Sequence, residues 1–300
     1  MDSTFIIIGV TSFLAATVNG ALGYGYSSIT VPVALLMVAS RILNPALVLI
    51  ECAVNLYALF LGRRHVRAVW PRVSPVAIGI LPGVIVGSMA LSKLSPDWAK
   101  LITYATLLPL ILIQAAGLRF PFRRERLIGV PFGGAVGVLY SLTTISGPPL
   151  ALYFNNQGLA KDQFKVALAL TRSIESLCTL VAYLALGMIT YDSVALVPVL
   201  APGVLIGLPL GFALITQVEP ETFRRVCMSF DAWLVGFGLS RTVAKLGLLP
   251  VPWAYQLLTA TIVLDAFLLR TFFRRRQRAR ADAPPAEPSL TPKSSSPTPP

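Results

Sequence analysis

Two glutamates stand alone inside long apolar stretches, Glu51 in ALVLIECAV and Glu175 near the middle of ALALTRSIESLCTLV. A charged carboxylate at such a depth costs roughly 2.5 kcal/mol or more, and acids kept there tend to mark ion or proton paths. Proton exchange is the chemistry they offer, and a protonated carboxyl hydrogen-bonded to a neighbouring helix is the alternative. Asn55 lies one turn beyond Glu51 and shares its helix face. Arg172 lies one turn before Glu175, and a local ion pair between them is the expectation. Asp231 is mid-span with no local cation, whereas Asp265, five residues before Arg270, is expected to reach the membrane interface. The lone histidine, His65, sits in a basic segment and reads as solvated. Cys52, Cys178 and Cys227 have neither CxxC nor Cys/His spacing, so they read as packing residues and no metal or other cofactor is implied.

A second kind of chemistry comes from two interruptions in apolar sequence. The first runs Asn19-Gly20-Ala21-Leu22-Gly23-Tyr24-Gly25-Tyr26-Ser27-Ser28; the second runs Ser141-Leu142-Thr143-Thr144-Ile145-Ser146-Gly147-Pro148-Pro149. Neither continues as helix through lipid, and unwound backbone at that depth must be covered by protein or water. A half-helix starting there presents unpaired N–H groups and a positive dipole end, which suit an anion. Asn19, Gly20, Gly23, Gly25, Ser27 and Ser28, facing Thr143, Thr144, Ser146 and Gly147, are therefore the candidate anion-binding residues. Pro148 and Pro149 have no N–H, so the second turn offers fewer backbone donors. Glycines that merely let helices pack closely are the competing explanation, preferred for Gly83 and Gly87 and for Gly203, Gly207 and Gly211.

The elements that must hold these residues are membrane helices. Of 300 residues 55% are apolar and 13% charged, about half the charge of a soluble domain, so a water-soluble globule is excluded. The net charge of +12 does not indicate nucleic acid, because the basic residues cluster between apolar runs and after the last one, as in loops beside an anionic lipid surface. Seven runs have crossing length: 43–62, 73–92, 97–117, 164–187, 193–216, 222–240 and 252–270. The interrupted stretches 5–39 and 127–154 are separate. Placing the six arginines from Arg270 to Arg280 in the cytoplasm, with the Arg63–Arg72 and Arg119–Arg126 clusters and the loop holding Arg224 and Arg225, leaves Arg41, Lys93, Lys100, Arg241 and Lys245 outside. Residues 127–154 then begin and end on one side. They make about 42 Å of helix against about 60 Å for two crossings, so a re-entrant pair of half-helices is predicted.

An internal repeat agrees. Ile50-Glu51 recurs as Ile174-Glu175, Leu61-Gly62 as Leu186-Gly187, Pro96 as Pro220, and Pro82-Gly83-Val84 as Pro202-Gly203-Val204. Since 43–62 and 164–187 run in opposite directions, the expected architecture is an all-α polytopic membrane protein of two inverted repeats. Each repeat is a broken-helix hairpin plus three transmembrane helices: 1–117 with hairpin 5–39, and 118–245 with hairpin 127–154. One extra helix follows at 246–270, then a basic and Pro/Ser-rich tail at 271–300, expected to be disordered and cytoplasmic. The N-terminus is expected outside. Inverted repeats with paired broken helices are a transporter plan.

In these motifs the sequence resembles the sulfite exporter TauE/SafE family, over roughly residues 5–245. The likeness lies in NGALGYGYSSITVP, the Asn44-Pro45-Ala46 start of the next span, the basic RRHVRAVW segment, and a second Gly/Pro turn followed later by PGVLIGLPLG. The resemblance implies a multi-pass permease of the bacterial inner membrane for sulfite, sulfonates or related small anions, and points to Gly20, Gly23, Gly25, Pro32, Gly147 and Pro148. The chain departs from the family pattern at Tyr24, Tyr26 and Ser27 and in TISGPP. The expected function is a secondary transporter working by alternating access, with Glu51 or Glu175 coupling protons, since no P-loop is present for ATP hydrolysis. The expected partners are the anion, the bilayer and protons; nucleic acid is not among them, and a homodimer is left open. A membrane scaffold without a solute path, and less so an intramembrane enzyme, are the alternatives.

Overall fold

Left-handed glycines follow several helix ends of this chain, at Gly23, Gly187 and Gly247, whereas many of its prolines are carried inside helices. The computed structural model describes residues 3–116, 125–155, 157, 159–214 and 220–281, and every regular element among them is helical. Helices α1 (Ser3–Leu22) and α2 (Tyr26–Ala34) form the first broken pair. Then come α3 (Ser40–Gly62), a 3-10 turn (Arg63–His65), α4 (Val66–Lys93) and α5 (Pro96–Ala115). The order recurs as the broken pair α6 (Glu125–Thr143) and α7 (Gly147–Asn155), then α8 (Lys161–Ala185), α9 (Tyr191–Leu214) and α10 (Pro220–Lys245), after which α11 (Val251–Ala254) and α12 (Gln256–Ala281) close the chain.

The seven predicted spans fall in α3, α4, α5, α8, α9, α10 and the α11–α12 pair. By length and hydropathy the described residues hold six candidate crossings: α3 and α4 merge into one apolar run, Ser40–Lys93, α10 is not among them, and α1 (Ser3–Leu22), expected as an arm of a re-entrant hairpin, is itself long and apolar enough to count. The broken pairs differ from two equal half-helices: the first arms have 20 and 19 residues and the second arms nine each. The arms are unequal because each break falls late in its apolar stretch. The basic segment after Arg63 is not a loop, since one 3-10 turn leads straight into α4. The start of the tail is likewise helical, α12 running on to Ala281, while the 118–124 part of the basic loop and residues 282–300 lie outside the described residues.

The bundle is apolar outside and polar within. Ile78, Ile85, Val181, Leu205, Ile206, Val263 and Phe267 are exposed, whereas Glu51, Arg172 and Glu175 are buried. With lipid as apolar as the side chains, contact between helices depends on how closely their backbones approach. Glycine seams supply that approach. A Cβ added at Gly83 would overlap the Gly134 carbonyl of α6, and one at Gly211 would overlap the Thr17 carbonyl of α1. Thus α4 packs along α6 and α1 along α9, each long first arm lying against the fourth helix of the other half, while α3 packs on α8 and α5 on α10. At one end of the bundle Arg41 Nη2 donates to the carbonyls of Ser92 (2.7 Å) and Leu94 (2.8 Å), and Lys245 bridges to Asp97 (2.7 Å). His65, at the far end of the α3 axis, marks the opposite one.

Two residues expected at the interface are internal. Arg225 lies within α10 and pairs with Asp265 of α12 (Nη2 to Oδ1 2.9 Å), the two being 3% and 0% exposed. The sequence offers Arg270 as the nearer cation for Asp265, but α10 lies against α12 and brings Arg225 to it. This pair fastens the last helix to the rest. Breaking a buried pair by removing one partner costs about 3–5 kcal/mol, because the other charge stays buried. Thermal unfolding in detergent should show Asp265→Ala melting well below the native chain, with Arg225→Met/Asp265→Leu recovering most of the loss.

Candidate functional site

The two breaks are built differently from their sequences. In the first, Gly23 (φ 82°) and Gly25 (φ 112°) hold left-handed backbone that a Cβ disfavours, and Gly25 caps α2 with no side-chain acceptor. In the second, the left-handed position is Thr144 (φ 59°), a β-branched residue in a conformation it rarely adopts. Local hydrogen bonds hold it there. Its N–H donates to the Tyr140 carbonyl (2.6 Å), its hydroxyl to the Thr143 carbonyl (2.6 Å), and Thr143 Oγ1 accepts from the Ile145 N–H (3.2 Å). The breaks touch one another: a Cβ on Gly147 would come within 3.1 Å of Tyr24 Cβ.

Beside this contact lies the main polar cluster. Glu51 Oε1 accepts from Ser27 Oγ and from Arg172 Nη2 (2.7 Å), and Oε2 accepts from the Tyr140 hydroxyl (2.7 Å). These donors come from α2, α8 and α6, so one carboxylate ties together both halves of the chain. Arg172 Nη1 also reaches Asn19 Oδ1 at 3.5 Å. The expected ion pair between Arg172 and Glu175 is not the one formed. Ser146 instead donates to Glu175 Oε2 (2.5 Å), and the guanidinium crosses to Glu51. Helix spacing made the local pair available, but the docking of α3 on α8 offered a carboxylate on the facing helix.

Several buried polar atoms here have no partner among the described residues: Arg172 Nε, Glu175 Oε1, Asn55 Nδ2 and Thr179 Oγ1. Buried polar atoms are ordinarily paired. Their gathering on the facing sides of α3 and α8 marks where a solute or water would be accommodated. A cavity of about 250 Å³ opens from this region, with Asn19, Gly23 and Asn55 at its inner end and His65, Asp162 and Lys165 at its mouth. Glu51 lies one turn before Asn55 on α3, and Arg172 three residues after the lining residue Ala169 on α8. Neither of the paired residues lines the cavity; the pair lies behind its inner end, where Arg172 touches the lining residue Asn19.

The predicted site residues are accordingly sorted. Asn19 and Gly23 line the cavity, Ser27 and Ser146 each hold a glutamate, and Gly25 and Gly147 shape the breaks. Gly20 faces the Leu208 carbonyl of α9 as a packing glycine. Thr143 and Thr144 spend their hydroxyls on the carbonyls of Leu139 and Thr143, and Ser28 is buried. Sequence reasoning missed Tyr140, whose signal was its position one turn before Thr144. It also missed the lining roles of Asn55, His65 and Lys165.

A family model described as Sulfite exporter TauE/SafE matches residues 8–239. A protein of Cupriavidus necator described as a probable sulfite/organosulfonate exporter TauE is 30% identical over 181 residues, 57% of this chain and 67% of that one. No solved structure matches the chain.

The contrast between the breaks gives an expected outcome. A left-handed residue other than glycine costs roughly 1–2 kcal/mol. Thr144→Gly should therefore raise the unfolding midpoint of the detergent-solubilised protein by about 1 kcal/mol of stability, and Gly25→Ala should lower it by a similar amount. Equal midpoints for both variants and the parent would refute the assignment of strain to Thr144.

Proposed function

Because the chain belongs to the sulfite exporter TauE/SafE family, it is a membrane transporter and not an enzyme, and we propose that it carries sulfite or an organosulfonate across the bacterial inner membrane by alternating access. The description of the Cupriavidus relative supports this choice of cargo. One observation carries the mechanism: Arg172 is 3% exposed in an apolar bundle, bound to one carboxylate, with Nε left unpartnered. An anion passing the inner end of the cavity beyond Asn19 would find a fixed positive charge with a donor to spare, next to the uncapped start of α2. It would compete with Glu51 for the guanidinium, and loosening that pair would free α3, α2, α6 and α8 to move relative to one another.

The two glutamates have different parts in this scheme. Both Glu51 oxygens accept hydrogen bonds, so it acts as the lock. Glu175 keeps Oε1 unpartnered and is the proton-coupling group. Alternation follows from the two halves, 1–117 and 118–245, acting as inverted repeats that exchange conformations. The crosswise packing of α1 on α9 and α4 on α6 supports that exchange, because each contact has its counterpart in the other half. The mouth at His65 and Lys165 then faces the cytoplasm, in keeping with the basic residues around it.

Flux of labelled sulfite into proteoliposomes tests the reading. Losing a charge-assisted contact worth about 1.5–3 kcal/mol predicts at least a tenfold fall in flux for Arg172→Gln. The charge-balanced Arg172→Gln/Glu51→Gln variant should fold and remain slow, so native flux through it would overturn the assignment. Glu175→Gln should keep sulfite exchange but lose stimulation by a pH gradient.

A further inference from the structure

We infer that the cavity between α1, α3, α8 and α9 is a chamber for the carbon chain of an organic anion, with Asn55 donating to its head group; this rests on the transport reading above. Two amide donors stand at its inner end. Asn55 is 3% exposed, lines the cavity, and its Nδ2 has no partner among the described residues. Asn19 also lines it, and because its Oδ1 accepts from Arg172 (3.5 Å), its amide hydrogens are the part left for a guest. Both carboxamides thus offer N–H, which selects an anionic oxygen.

The walls beyond that end are apolar. Val54 and Leu61 of α3, Val166 and Ala169 of α8, and Leu208 and Phe212 of α9 form them. The volume, about 250 Å³, is many times the roughly 10–15 Å³ that one water centre requires, so an inorganic anion of four heavy atoms leaves most of it wet against hydrocarbon. A short alkyl chain displaces that water and gains burial with each carbon. Asn55, Ala58 and Leu61 recur on one face of α3 and His65 follows in the 3-10 turn, together over about 15 Å, so the path continues outward from the head group to the mouth. The chamber makes chain length the property read here, and Asn55 and Ala58 the residues that set specificity.

Binding to the purified full-length chain in detergent, measured by calorimetry, tests this with sulfite and with the straight-chain alkanesulfonates from methanesulfonate to octanesulfonate. Affinity should rise about threefold to fourfold per methylene and keep rising to octanesulfonate, because about 11 Å of path beyond the head group takes roughly nine carbons at ~1.2 Å each. Asn55→Ala should weaken the whole series by a common factor and leave the slope intact. Ala58→Trp should abolish the slope; Ala58→Leu, a smaller intrusion, should reduce it if the tryptophan variant does not fold. A flat series with sulfite bound, a slope that stops within the first four carbons, or a slope untouched by both Ala58 variants overturns the chamber and leaves sulfite transport standing. Failure of sulfite and every sulfonate to bind overturns the transport reading itself.

Discussion

The structure depends on one carboxylate buried in a bundle that lipid surrounds. Glu51 cannot be solvated from outside, so its negative charge has to be met by groups the fold brings to it: Ser27, Tyr140 and Arg172. Those groups lie on α2, α6 and α8, far apart in sequence. Meeting the charge therefore requires both halves of the chain to be docked in one relative arrangement. The same requirement makes the cluster a natural control point, since anything that takes Arg172 away leaves a desolvated charge to be met by other means.

Close backbone packing makes that docking reachable. The seams of Gly79, Gly83 and Gly87 on α4, and of Gly203, Gly207 and Gly211 on α9, let α6 and α1 approach within carbonyl contact. Each seam fixes the first arm of a broken pair, and fixing that arm fixes where its break lies. With both arms held, Tyr24 rests on Gly147 and the short helices α2 and α7 start beside one another. Packing glycines and site glycines are thus parts of one mechanism of assembly, although they do different things.

The second charged pair shows the same physics away from the site. Arg225 and Asp265 are buried where neither would be stable alone, and the pair joins α12 to α10. The cavity is the counterpart of these satisfied groups. At its inner end Asn55, and behind that end Arg172 and Glu175, keep atoms with no partner among the described residues. A transporter has to leave such groups for its cargo, whereas a scaffold has reason to pair them.

Much of this was legible in order along the chain. Apolar runs of crossing length and the Gly-rich and Pro-rich breaks depend on local backbone preference and on the cost of polar groups in lipid, and both are written residue by residue. The isolated acids Glu51 and Glu175 announced themselves for the same reason. Partner choice was not legible. Arg172 stands three residues from Glu175, yet it pairs with Glu51, 121 residues distant, and Asp265 passes over nearby Arg270 for Arg225. Nothing local ranks a neighbour on one helix against a residue on the helix packed beside it; that is settled by which faces dock, through many close contacts summed over the whole bundle. The cavity followed the same rule, because empty space belongs to four helices at once and to no segment of sequence.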